Sequence, residues 1–505
     1  MKKITAKLLL LLLIVPLLCF AQEENLNIKV NTYAPDGHIF QGHNQYSSLV
    51  TYKGSIYIFS LDEDRRPYIS KINEEDSSDI RTALLDTDES DVYRVFDDGH
   101  HRFSLGFDED GYIHIIGDMH HGSGDTGAGG SGRMDKDKDN DGVVDNPLPE
   151  RFHGAYGGQM YWISDNPEDI SSFTFVGKDI DKRYPCNRTT YNYFRQDRDG
   201  TLFLAGRQSV REPKSHESGT LGLCLARYDN SNKKWKMLGA TPLDNYGLED
   251  YEYVVPSILW EPHGYNRGED SQWYQAYYSN IKFDKNNVMH LTSGLNADTD
   301  YNASTHIVYA YSKDKGESFF RADGTKIESL PMRITDTEAN RPTIVLSQTK
   351  EDVVFEVTFP AIFWDRNYAP AISYINLSDS SNIRTSYRYY DRSTKEWHNK
   401  EFGIKVESIR SDHYSLGDGT MLSIGNRYQL HHMKNFTDMG TIHELDDDDR
   451  TSISNSYFLR EIDKTLFRDK NILRGISEID GRSAVITVSS PKLYHNISMI
   501  YYLLN

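Results

Sequence analysis

Two histidine pairs, a tyrosine-rich stretch and one following arginine carry the groups best suited to proton transfer in this chain. His100-His101 and His120-His121 stand twenty positions apart and are flanked by Asp97, Asp98 and Asp118. Imidazole titrates near neutrality, so the pairs suit general acid–base transfer or metal ligation. An equally open reading is that each histidine ends a strand and bonds a neighbouring carboxylate. The stretch RTTYNYF, from Arg188 to Phe194, adds the phenols of Tyr191 and Tyr193. Arg207, sixteen positions after Tyr191, adds a guanidinium that stays charged. Read singly, Tyr191 is an ordinary strand tyrosine and Arg207 an ordinary surface ion-pair partner. Together, two imidazoles, a phenol and a guanidinium lack the carboxylate pair that most glycoside hydrolysis needs. They fill the roles of uronate β-elimination instead. In that reaction positive or proton-donating groups neutralise the C6 carboxylate, a base takes the acidified C5 proton, and an acid protonates the departing C4 oxygen.

The elements that must position these groups read as β-hairpins. Phe103, Leu105 and Phe107 alternate with smaller or polar residues, Asp108-Glu109-Asp110-Gly111 reads as a tight turn, and Tyr112 to Ile116 reads as a second strand. Such a hairpin returns its ends to one sheet edge, which places His100 near His120. The turn at Asp199-Gly200 does the same for Tyr191 and Arg207. If both hairpins are the innermost strands of adjacent blades, the four residues converge on one face.

Self-similarity supports a repeat fold. FDEDGYIH (107–114) is echoed by RQDRDGTL (195–202) and FDKNNVMH (283–290), and the turn positions Gly111, Gly200 and Asn287 lie 89 and 87 apart. A second theme, a strand followed by a charged turn and an aromatic, occurs at 227–235 and 389–397. Tyr311 to Phe319 resembles the Asp-box that closes the outer hairpin of many propeller blades. Further strand-like runs include Ser47–Tyr52, Gly54–Ser60, His306–Ser312, Thr343–Ser347, Asp352–Phe359, Met421–Leu430, Ser483–Ser490 and Ser498–Leu504. Helical periodicity is nearly absent. With long loops subtracted, the repeats leave blades of roughly 60 to 70 residues, enough for about seven. The expected fold is therefore all-β, a seven-bladed β-propeller forming a single domain over 22–505, with an insertion at about 122–150.

Lys2 and Lys3, the leucine-rich run Leu8–Leu18 and Ala21 before Gln22 read as a cleaved signal peptide over 1–21, so the protein is expected to be secreted or periplasmic. A lipoprotein reading through Cys19 is weakened by the bulky Leu18. No later stretch approaches the roughly 20 apolar residues of a membrane span. Cleavage leaves Cys186 and Cys224. These are enough for one bridge but not for a disulfide scaffold or a cysteine-rich zinc site. A net charge of −19 argues against nucleic acid and anionic membrane as partners. It also means that an anionic substrate needs a local cluster of positive groups. The 34 tyrosines suit an aromatic-lined carbohydrate cleft, although tyrosine is also a good strand residue. The protein is expected to be a monomer.

Within the insertion, Asp137, Asp139, Asp141, the Val143 carbonyl and Asp145 surround Gly142 in the spacing of a calcium loop. Leu148 stands where such loops carry a bidentate Glu. A structural calcium ion is expected there, with a solvated acidic loop as the alternative.

The segments DGHHRFSLGFDEDGYIHIIGDMHH, TTYNYFRQDRDGTLFLAGR and THIVYAYSKDKGESF resemble the BNR-repeat family, which includes the ulvan lyases of polysaccharide lyase families 24 and 25. The resemblance runs from roughly Asn44 to Arg333. It implies a seven-bladed propeller that cleaves a sulfated rhamnose–uronate polysaccharide by β-elimination, leaving an unsaturated uronate. It casts His100 and His120 as the motif histidines, base or carboxylate partner. Tyr191 becomes the acid, and also a candidate base, and Arg207 the carboxylate neutraliser. His101, His121, Arg188 and Tyr193 are candidate substrate contacts. The chain departs from the family at His101, where Asn is frequent, and at the doubled His120-His121. The structural zinc that some relatives hold through Cys and His is not expected here. Two other functions remain open: a BNR-type glycoside hydrolase and a non-catalytic propeller that grips sulfated polysaccharide.

Overall fold

The computed structural model describes residues 28–33, 39–40, 48–62, 64–73, 76, 79–85, 103–117, 160–176, 189–209, 221–239, 256–260, 274–297, 304–334, 338–347, 355–364, 369–376, 384–405, 412–415, 420–424, 428–432, 472–477, 483–489 and 498–504. Their fold is all-β, and the helical content among them is one 3-10 turn at Glu338–Asn340.

Seven antiparallel sheets succeed one another along the described chain. After β1 (Ile28–Tyr33), the first sheet holds β2 (Ile39–Phe40), β3 (Leu49–Tyr52), β4 (Ser55–Leu61), β5 (Pro67–Asn73) and β6 (Ile80–Leu84). The second holds β7 (Ser104–Phe107), β8 (Ile113–Gly117), β9 (Met160–Ser164) and β10 (Phe173–Phe175). The third holds β11 (Thr189–Gln196), β12 (Leu202–Ser209), β13 (Leu221–Asp229) and β14 (Lys234–Leu238). The fourth runs through β15 (Tyr274–Phe283), β16 (Met289–Ala297), β17 (Ser304–Ser312) and β18 (Thr343–Ser347). The fifth runs through β19 (Phe355–Trp364), β20 (Pro370–Asn376), β21 (Arg384–Asp391) and β22 (Glu396–Lys405). β23 (Asp412–Ser415), β24 (Thr420–Ile424) and β25 (Tyr428–His432) form the sixth. The seventh comprises β26 (Ile472–Ser477), β27 (Ser483–Ser489) and β28 (Ser498–Leu504), and β1 completes it, with Ile28 opposite Leu504. The run Met421–Leu430, read above as one strand, is the hairpin β24–β25. Of the run Asp352–Phe359, residues 355–359 lie in β19, which continues to Trp364, and residues 352–354 lie outside the described residues.

The first strands of neighbouring sheets pack on one another: β3 on β7, β7 on β11, β15 on β19 and β19 on β23, while β26 packs on β3. A strand held between two sheets is buried on both faces, so every residue of β3 and of β7 is buried. Outer strands such as β14 alternate exposed and covered residues instead. Aromatic rings fill the joints. Phe59 stacks on Phe103 and Tyr52 on Phe107, both at 4.1 Å, between the first two sheets. Gly106 lets the third sheet approach, because a Cβ there would stand 2.7 Å from Leu202 and Phe194. Phe203 meets Phe283 at 5.2 Å between the third and fourth sheets.

The repeated turns share one construction. Asp108 Oδ1 accepts the amides of Asp110 (3.0 Å) and Tyr112 (2.9 Å). Asp197 Oδ1 accepts those of Asp199 (2.9 Å) and Thr201 (2.8 Å), and Asp284 Oδ1 those of Asn286 (2.8 Å) and Val288 (2.9 Å). The carboxylate thereby satisfies the turn's inward amides. Positive φ follows at Gly111 (89°), Gly200 (93°) and Asn287 (59°), a region that Gly and Asn tolerate best.

Lysines from the next sheet clasp two of these turns. Lys233 bonds Asp110 and lies 3.8 Å from Asp108, and Lys315 reaches Asp197 at 3.2 Å and Asp199 at 3.1 Å. Both lysines sit at positive φ, Lys233 in a charged turn of the second repeat theme, as does Lys395, and Lys315 in the Asp-box-like turn.

Candidate functional site

Tyr191 and Arg207 occupy the ends of β11 and β12 opposite the Asp197 turn. β11 pairs with β12 from Gln196↔Leu202 back to Tyr193↔Ala205, then shifts register and resumes at Thr190↔Arg207. Tyr191 and Asn192 form the bulge, two residues facing the single Gly206 on β12. Tyr191 adopts φ 54°, the left-handed region that a bulky side chain enters only when its surroundings enforce it. Bulges of this kind re-aim a side chain at the rim of a sheet. Here the phenol ring is brought beneath the Arg207 guanidinium, whose carbon lies 4.2 Å from the ring centroid. Both side chains are half-buried. A fixed cation and a phenol thus share one strand end, where the cation can face a substrate carboxylate and the phenol a nearby proton.

Tyr193, two residues further, lies in the core at 2% exposure among Phe203, Ala205, Leu223 and Ala276. Its hydroxyl shares a 2.9 Å hydrogen bond with the Ser279 hydroxyl on β15, and the Arg195 guanidinium lies 4.6 Å from its ring. Burial pushes its phenol up to about 12, while Arg195 and the Ser279 bond pull the other way. An aromatic so covered offers no face to a polymer in this conformation, which does not fit the substrate contact expected of it. His100, His101, His120, His121 and Arg188 lie outside the described residues, as do the acidic loop Asp137–Asp145 and the proposed signal peptide. Cys224 is a buried free thiol in the third sheet, and Cys186 lies outside the described residues. Among the described residues, no cluster of three His, Cys, Asp or Glu could hold a metal ion, and no helix is long and apolar enough to cross a membrane.

Two buried relays escaped the reading of the sequence. Asp108 Oδ2 lies 3.5 Å from His114 Nε2, and His114 Nδ1 lies 2.6 Å from the Tyr161 hydroxyl. In the fourth sheet the same geometry joins Asp284, His290 (3.5 Å) and Tyr309 (2.7 Å). Burial pushes the His114 imidazole below its ordinary value, partly offset by Asp108. The signal lay in the repeat itself, since histidine stands six positions after the turn aspartate in both FDEDGYIH and FDKNNVMH.

Residues 156–403 match the model of the BNR repeat-containing family. Among solved structures, a family 25 ulvan lyase bound to -[GlcA(1-4)Rha3S]- aligns with a TM-score of 0.54 at 15% identity, covering 94% of this chain and 96% of that one. The polysaccharide lyase Uly1 aligns at 0.57 and 13% identity, covering 91% and 90%, and a second family 25 ulvan lyase structure at 0.51 and 14%, covering 94% of each. No curated protein sequence matches the chain. At these identities the structural likeness establishes the fold. Residues 156–403 are thus similar to the BNR repeat-containing family, and the chain has the fold of the ulvan lyases.

Proposed function

We propose that the chain is an exported polysaccharide lyase that cleaves a sulfated rhamnose–uronate polymer of the ulvan kind, its seven sheets closing into a seven-bladed propeller. The observation that carries this reading is the Arg207 guanidinium 4.2 Å from the ring of Tyr191, a residue held on a left-handed bulge. The pairing of β1 with β28 supports ring closure, since it ties the two ends of the chain into one sheet. The ulvan lyase fold adds support, because the ligand named for the first neighbour contains a uronate.

In this reading Arg207, with His100 or His120, neutralises the C6 carboxylate of the uronate. Loss of the C5 proton to a histidine or to the Tyr191 phenolate then sends its electron pair into a C4–C5 double bond. The C4–O bond breaks, and the departing oxygen takes a proton from Tyr191 or its histidine partner. The products are an unsaturated uronate at one new end and a hydroxyl at the other. Arg188, His101 and His121 would line the anionic chain, and the protein would act as a monomer. A calcium ion held by Asp137, Asp139, Asp141, the Val143 carbonyl and Asp145 would brace the insertion that follows His120-His121.

The test is to mix purified protein with ulvan and follow absorbance of the unsaturated uronate. A rise is expected. Absence of a rise with ulvan and with related uronate polymers, alongside turnover of a glycosidase substrate without the new double bond, overturns the lyase in favour of a hydrolase.

A further inference from the structure

Tyr193 and Ser279 meet across the joint between the third and fourth sheets, deep in the core. Tyr193 is 2% and Ser279 8% exposed, and their hydroxyls lie 2.9 Å apart. Each residue also has a special place on its strand. Tyr193 is the residue at which β11 returns to register after the Tyr191–Asn192 bulge. β15 carries its own register shift between Ala276 and Tyr278, with Tyr277 as the extra residue, and Ser279 follows two positions later. The hydrogen bond therefore joins the two strands at matching points, each two residues beyond a bulged tyrosine.

The bonded pair lies beside a strained conformation that needs support. Tyr191 holds φ 54° and packs against the same hydrophobic cluster that contains Tyr193 and Ala276. A left-handed tyrosine persists only where neighbouring contacts over-determine it. On the outer side of the bulge, Arg207 covers the ring. On the inner side, the first fixed point is Tyr193, anchored by Ser279 through its hydroxyl and by Arg195, which also donates to the Ile281 carbonyl of β15 at 3.1 Å. Arg195 thus ties β11 to the same neighbouring strand.

We propose that the Tyr193–Ser279 hydrogen bond is a positioning strut for the active site: it holds the Tyr191 bulge against the fourth sheet and so sets the Tyr191 hydroxyl relative to Arg207 and the bound uronate. The two residues act through Tyr191 and touch no substrate. The inference rests on the lyase reading above. A hydrogen bond between buried hydroxyls contributes modestly to stability, whereas a small misplacement of a proton-transfer group costs rate heavily. Its loss should therefore appear in turnover more than in folding or binding.

The test compares Tyr193→Phe, Ser279→Ala, Ser279→Thr and the Tyr193→Phe/Ser279→Ala pair with the parent and with Tyr191→Phe, all on ulvan. Tyr193→Phe and Ser279→Ala should each lower kcat by about tenfold with KM changed less than about twofold. The double variant should fall no further than either single one, because both remove the same bond. Ser279→Thr, which keeps the hydroxyl, should recover most of the lost kcat. Circular dichroism and thermal melts establish that the variants are folded. If Tyr193→Phe does not fold, Ser279→Ala and its Ser279→Thr rescue carry the test. An inactive Tyr191→Phe beside Ser279→Ala at the parent's kcat overturns the strut alone. Losses that track only the folded fraction, or that add in the double variant, also overturn it. A fully active Tyr191→Phe instead overturns the lyase reading on which the strut depends.

Discussion

The hairpins β7–β8, β11–β12 and β15–β16 turn alike and differ elsewhere. In all three an aspartate Oδ1 gathers two amides, and the turn closes at positive φ. In the second and fourth sheets the other oxygen of that aspartate faces a buried histidine, which in turn meets a tyrosine of the third strand. In the third sheet the matching position is Phe203, and the carboxylate turns to Lys315 instead. Among the described residues, the hairpin without the relay carries an arginine-capped tyrosine bulge at its far end. The turn end is a structural device repeated from sheet to sheet, and at the strand end of the third sheet the bulged Tyr191 lies under Arg207.

The sharpest way to break this contrast is at the strand end. Tyr191→Phe should lower turnover by about 10²- to 10⁴-fold while leaving ulvan binding intact, since it removes one proton-transfer group and no charge. Turnover assay and equilibrium binding on the same sample check this, and unchanged turnover would return Tyr191 to a packing role. Arg207→Lys should cost about 10²-fold in kcat, because an ammonium keeps the charge but loses the planar fork and the stacking on Tyr191. Loss of binding with kcat unchanged would mean that Arg207 only grips the polymer.

At the turn end the effect should be on stability and not on chemistry. Asp197→Ala strands the amides of Asp199 and Thr201 and removes one of the two carboxylate partners of Lys315. It should lower unfolding stability by about 2 kcal/mol with kcat per folded molecule unchanged, as read by denaturant melts and active-site-normalised assays.

A pH effect should arise from two histidines, the buried His114 and the half-buried His306. Burial lowers His114, and it lowers His306, bonded to the Ser347 hydroxyl, to about 4. Each is neutral when folded and takes up a proton more readily when unfolded. The unfolded chain therefore binds more protons below about pH 6.5, and stability should fall as pH drops from there towards 4. Thermal melts across that window should show a shallower decline in His306→Asn than in the parent, and an unchanged slope would refute the contribution. Smallest of all, Lys315→Ala should cost at most about 1 kcal/mol, because its ion pairs are partly solvated.

Much of the fold was legible because its signals are local. Alternating β-rich runs and Asp-Gly turns marked Leu49–Tyr52, Ser104–Phe107, Ser304–Ser312 and Thr343–Ser347 to within a few residues, and the three echoes of the Asp turn proved to share one hydrogen-bond pattern. The hairpin argument also placed Tyr191 and Arg207 at one edge, as the structure does. Tyr193 shows where local reading stops. Its neighbour is a polar-flanked tyrosine in a site-like stretch, and simple alternation would give no reason to treat the two differently. The bulge breaks the two-residue period, so one phenol lies half-buried beneath an arginine and the other is buried against Ser279.

Composition and spacing by themselves determined that the chain is β-rich and repetitive. They also determined that its turns are built on aspartate, and that a phenol and a guanidinium are carried to one strand end. Those features depend on contacts a few residues apart, or on a hairpin that folds back on itself. Only the tertiary structure decided which side chains face a neighbouring sheet. The left-handed bulge at Tyr191, the bond from Tyr193 to Ser279 and the tyrosine partners of the Asp–His relays are not given by sequence distance. The bulge and the Tyr193–Ser279 bond lie at the joint between two sheets, and the relays depend on strand pairing within one sheet, so neither follows from backbone preference alone.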